Sequence, residues 1–117
     1  MGGDLTFDVA VDPFRNIIYA ADQFAAVDVI DGKTNTVTAT INLPGQPTGL
    51  VVDLGNRNVY VNNVNLNAAQ VINGNTRQLT ATVPVGSAPE YSDIDSFRGL
   101  DYVGNSGDNT VSVVSTH

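Results

Sequence analysis

Apolar and polar residues alternate along this chain in short runs, separated by clusters of Asp, Asn, Gly and Pro. A period of two marks a strand with one face buried, and no stretch shows the spacing of an amphipathic helix. The first four runs fall at residues 6–11, 17–21, 26–30 and 36–43. Between the first two stands Asp12-Pro13-Phe14-Arg15-Asn16, in which Asp supplies a side-chain hydrogen bond to the backbone, Pro fixes φ, and Asn tolerates positive φ. Asp31-Gly32 joins the third run to the fourth and is a strong short-hairpin signal.

The unit then recurs. Val11-Asp12 aligns with Val52-Asp53 and Ile94-Asp95, and Tyr19 with Tyr60 and Tyr102, at spacings of 41 and 42 residues. Ile30, Ile72 and Val114 share the register, as do Thr38-Ala39-Thr40 with Thr80-Ala81-Thr82, Pro47 with Pro89, and Asp31-Gly32 with Asn73-Gly74. A four-stranded unit of about 40 to 45 residues is the size of a β-propeller blade and too long for a leucine-rich repeat. A β-sandwich also has short strands between turns, but carries no such period. The predicted fold is all-β: residues 1–5 a leader or tag scar, 6–46 a first blade of four antiparallel strands, 47–88 a second, and 89–117 a third that lacks its outermost strand.

After each second strand come Tyr19-Ala20-Ala21-Asp22, Tyr60-Val61-Asn62-Asn63 and Tyr102-Val103-Gly104-Asn105. With the continuation from Ser106 to Val114, these resemble the Tyr-Val-Thr-Asn signature of the YVTN family of β-propeller repeats, across residues 6–116. Asp22 replaces the final Asn, and no copy keeps the Thr. The resemblance implies a surface-layer or secreted propeller, hence an extracytoplasmic location, and a binding scaffold without shared catalytic residues.

At 117 residues the chain is short for a ring of about four to eight blades. Residues 1–5 align with the inter-blade crossing at 42–46 and offer no strand to complete the third blade. Repeat units bury their flanks only against neighbours, so self-association is expected: a homodimer of six blades is favoured, a homotrimer of nine the alternative.

The formal charge of -7, with five basic residues, argues against nucleic acid and anionic membranes. No apolar run is long enough to span a bilayer, and no Cys is present for a disulfide or a thiolate metal site. If blades run outward from the axis, all five basic residues (Arg15, Lys33, Arg57, Arg77 and Arg98) fall in hairpin turns at one end. The opposite end then carries Asp22, Glu90 and Asp108 and is expected to attract cationic or neutral ligands. Its loops vary most between units and contribute Phe24, Asn65, Asn67 and Asn109 as further candidate contacts. Phe24 and Leu66 are expected to tuck against the blade rather than stand out as anchors. Asp12, Asp53 and Asp95 are expected to cap their own turns. Asp93 stands where the other copies have Ala10 and Val51, and with Asp8 it is a candidate for holding a cation at the channel mouth.

Catalytic constellations are missing: the single His is residue 117, Gly104-Asn105-Ser106-Gly107 has the wrong spacing for a nucleophile elbow, and Asp108-Asn109 lacks the other ligands of a calcium loop. No cofactor is expected. The sequence reads as a non-enzymatic propeller scaffold that self-assembles and presents loops to a protein or glycan. The alternative is a structural or engineered fragment of a larger propeller, such as a surface-layer building block, without a ligand of its own.

Overall fold

A computed structural model describes residues 6–22 and 24–116; the leader expected at 1–5, Gln23 of the first loop and His117 lie outside the described residues. Strands β1 (Thr6–Asp12), β2 (Ile17–Asp22), β3 (Ala26–Asp31) and β4 (Thr36–Asn42) form one antiparallel sheet in chain order. A second contains β5 (Pro47–Val52), β6 (Val59–Asn63), β7 (Ala68–Ile72) and β8 (Leu79–Pro84). A third, of three strands among the described residues, contains β9 (Pro89–Asp95), β10 (Leu100–Asn105) and β11 (Thr110–Ser115). These are propeller blades of four, four and three strands.

Pairing register repeats with the sequence: Tyr19 lies between Ala10 and Val29, Tyr60 between Val51 and Val71, and Tyr102 between Asp93 and Val113. Because side chains alternate between the faces of a strand, each blade has a forward and a backward flank. Tyr19, Ala21, Val27 and Val29 on the forward flank of blade 1 meet Leu50, Val52, Val59, Val61 and Ile72 of blade 2 in the main core. A smaller core joins Ala69 of blade 2 to Val103 and Val114 of blade 3. That second interface is more polar because Asn62, Ser92 and Asp101 stand where the first has Ala21, Leu50 and Val59. Asn62 Nδ2 donates to Ser92 Oγ at 2.7 Å.

The turns depart from the two-residue hairpin that Asp31-Gly32 and Asn73-Gly74 suggest. The left-handed residues are Asn35 (φ 57°) and Arg77 (φ 61°), whose amides close the turns on Asp31 O at 2.7 Å and Asn73 O at 2.8 Å. Glycine is required for another reason: a Cβ on Gly74 would lie 2.0 Å from the Arg57 carbonyl oxygen. The recurrent Asp residues cap turns as expected. Asp12 Oδ1 accepts from Phe14 N (3.1 Å), Asp53 Oδ1 from Gly55 N (2.7 Å), and Asp95 Oδ1 from Arg98 N (3.1 Å).

Candidate functional site

Hydrogen bonds separate the two ends of the blades. Inter-blade crossings and β2–β3-type loops gather at one: Gln46 Nε2 donates to Asp22 O at 2.8 Å, Val64 N to Gln46 O at 3.1 Å, and Ser106 N to Ala88 O at 3.1 Å. Hairpin turns gather at the other, where Arg15 of blade 1 reaches Gly74 O (3.2 Å) and Asn75 Oδ1 (2.6 Å) of blade 2.

At the loop end most of the candidate polar groups are engaged in shaping the loops themselves. Asp22 is buried, and its Oδ1 accepts from Phe24 N at 2.7 Å. Asp108 accepts from Ser87 N at 3.0 Å and Thr110 Oγ1 at 2.5 Å, and the Thr110 bond holds its carboxyl below the usual range. Asn67 Oδ1 accepts from Ala88 N at 2.9 Å, which ties the blade 2 loop to the crossing into blade 3. Asn67 and Asn109 occupy left-handed positions (φ 50° and 58°) matching Ala25, a conformation that suits Asn. Asn65 is exposed, with its amide bonded to Asn63 Oδ1 at 3.2 Å.

Phe24 and Leu66 do not tuck in: they are 62% and 43% exposed. Beneath each loop the space is taken by a polar cap, Asp22 in one case and Asn63 in the other, bonded to the amides of these same residues. The side chains are turned outward as a result.

Two of the candidates, Glu90 and Asn109, come together. They line a cleft of about 410 Å³ on the forward flank of blade 3 with Tyr91, Asn105, Ser106 and Thr110. Asn105 is almost wholly buried; its Nδ2 donates to Thr110 Oγ1 (3.2 Å) and Ser112 Oγ (2.9 Å), and its buried Oδ1 has no partner among the described residues. The Glu90 carboxylate and the exposed Tyr91 ring suit hydrogen bonding and stacking with a polar ligand.

The channel pair is placed apart. Asp8 accepts from Val9 N (2.9 Å) and, across the blade interface, from Leu50 N (3.1 Å), so it ties β1 to β5. Asp93 is exposed on β9, on the far side of β5, and accepts from Ile94 N at 3.0 Å. Among the described residues no group of three or more His, Asp or Glu side chains is gathered to hold a metal ion.

One group escaped the sequence reading. Asp101 on β10 is fully buried, and among the described residues neither oxygen has a hydrogen bond of good geometry, the Ser92 hydroxyl being its nearest polar neighbour. Burial pushes its pKa up to about 7, the nearby Asp93 charge adding and the Ser92 hydroxyl opposing. Its signal lay in the alignment with apolar Ile18 and Val59.

No family model matches the chain, and no curated protein matches it in sequence. Among solved structures it is similar to hydrazine synthase of Kuenenia stuttgartiensis, with a TM-score of 0.88 and 23% identity over 95% of this chain and 32% of that one. It is also similar to U3-55K, with a TM-score of 0.73 and 14% identity over 94% of this chain and 37% of that one. Both are β-propeller proteins. At these identities the likeness shows the fold alone, and this chain spans about a third of the length of each.

Proposed function

We propose that the chain is a non-enzymatic propeller module, completed to a ring by a second identical chain, whose loop end binds a protein or glycan. The supporting observation is the unequal exposure of equivalent residues. Tyr19 and Tyr60 are 0% and 3% exposed, whereas Tyr102 is 42%; Val27 is 0% exposed, whereas Val111 is 66%. Val9 and Val11 at the other flank are exposed where Leu50 and Val52 are buried. The two flanks carry the pattern that meets at the interior interfaces, so one fits the other on a second copy. The Tyr60-Val61 and Tyr102-Val103 motifs support membership of the YVTN repeat propellers, and through it an extracytoplasmic location. In a ring, the Glu90–Asn109 cleft falls at the junction between copies. Its aromatic and amide lining favours a glycan.

Absolute mass by light scattering across concentrations tests the ring: a discrete dimer supports it, and a persistent monomer overturns it. The second reading, a fragment of a larger propeller, draws on the share of the two solved structures that the chain spans. A source gene that continues into further repeats would establish it.

A further inference from the structure

The basic end of the blades holds a second cleft, of about 280 Å³, between blade 1 and the β7–β8 turn of blade 2. Its walls are Arg15 and Arg77, its apolar sides Ile17 and Ile30, and Asp31 and Thr38 complete it. In a chain of net charge -7, two guanidiniums facing one cavity are a local reversal of sign. Arg15 is fixed: it donates to Gly74 O (3.2 Å) and Asn75 Oδ1 (2.6 Å) and stands 4.0 Å from Asp12. Arg77 is half-buried, and among the described residues its guanidinium makes neither a hydrogen bond nor an ion pair. Tyr19, two residues from Ile17 on the same face of β2, is fully buried, and among the described residues its hydroxyl has no hydrogen-bond partner. The equivalent Tyr60 hydroxyl donates to Thr116 O at 3.3 Å, whereas at the matching place Gly74 O accepts from Arg15 and not from Tyr19. Burial raises the pKa of Tyr19, Asp12 adds to that, and Arg77 and Arg15 both oppose it, so the hydroxyl lies within the field of both guanidiniums.

We propose that this cleft binds an acidic sugar residue, its carboxylate taken between Arg77 and Arg15. Guanidinium forks match carboxylates in geometry and charge, and the unpaired Arg77 offers a full set of donors. The aliphatic sides of Ile17 and Ile30 suit the C–H face of a pyranose, while Asp31 and Thr38 suit its hydroxyls. The volume accommodates one ring. Asp31 and the nearby Asp12 disfavour a dianion, which selects a carboxylate over a phosphate.

The test is calorimetric titration of the full chain with glucuronate and galacturonate and their short oligomers, beside glucose and inorganic phosphate. Saturable binding of a uronate is expected, with glucose at least about tenfold weaker, the cost of one lost charge-assisted contact, and phosphate weaker by a similar factor for want of the ring contacts to Ile17 and Ile30. Arg77→Gln is expected to weaken uronate binding about tenfold, while Lys33→Gln, at the same end but outside the cleft, leaves it unchanged. Tyr19→Phe, which removes a buried hydroxyl that does not line the cleft, is expected to preserve both the melting temperature and uronate affinity. Silence toward every uronate, equal binding of phosphate, or indifference to Arg77→Gln would overturn the proposal.

Discussion

At Asp101 a carboxyl sits where blade 2 buries Val59 and blade 1 has the half-buried Ile18, and the consequence is a linkage between folding and pH. Its folded-state pKa is raised to about 7 from the ordinary 3.8, so the native state binds its proton more tightly than the unfolded chain does. Stability from this residue is complete below about pH 4, falls as pH rises through 7, and is flat above, a loss of about 4 kcal/mol at most. Asp101→Val restores the apolar residue of blade 2. Chemical denaturation at pH 4 and pH 8 is expected to show the variant more stable than the parent at pH 8 and little different at pH 4. Equal gains at both pH values would remove the titration of Asp101 as the cause. The Asp95–Arg98 pair, 2.8 Å apart on the surface, adds little to this balance because solvent screens it.

Between strands, the close approach of β5 and β9 sets the spacing of blades 2 and 3 near the axis. Thr48 Oγ1 lies 3.2 Å from both Pro89 O and Glu90 O, and a Cβ on Gly49 would fall 2.0 Å from Glu90 O. Backbone cannot yield there without separating the blades. Gly49→Ala is expected to destabilise by about 2 kcal/mol or more, read as a lower denaturation midpoint. An unchanged midpoint would mean that the blades slide apart at little cost. The sequence carried only half of this constraint, since the aligned residues are Asp8 and Tyr91, and a lone Gly in a strand signals close approach without naming the neighbour. The turns teach a similar lesson. Asp31-Gly32 marked a turn correctly, but its geometry is set by Asn35 three residues on, and Gly32 is small because Asn16 Oδ1 would lie 2.2 Å from a Cβ.

Across the whole molecule, the two open flanks dominate. Tyr91, Val111 and Val113 on blade 3 and Phe7, Val9 and Val11 on blade 1 are exposed large hydrophobics on opposite sides of the stack. A charge placed at the centre of a blade flank is tolerated while that flank faces water and is costly once another blade covers it. Val111→Asp is accordingly expected to leave the circular dichroism of the chain unchanged while reducing any assembly to monomer in light scattering. Assembly that survives the substitution would place the contact elsewhere. The same flanks explain why equivalent side chains differ so widely in exposure although their strands have one register.

What the sequence determined by itself was the repeat: strand number, the antiparallel order within each blade, the recurrent Asp caps and the division of charge between two ends. These are local or periodic properties, legible because alternation and turn chemistry act over a few residues. Only the tertiary structure decided which polar groups are engaged and which are open. Asp8 proved to be a tie to Leu50, Asp22 and Asp108 caps of their surroundings, and Phe24 an outward side chain. It also brought Arg15 and Arg77, 62 residues apart in sequence, to one cleft and buried Asp101 with only the Ser92 hydroxyl beside it to offset the burial. Such pairings depend on how one blade is laid against the next, and that is settled by the packing of whole flanks rather than by any short stretch of chain.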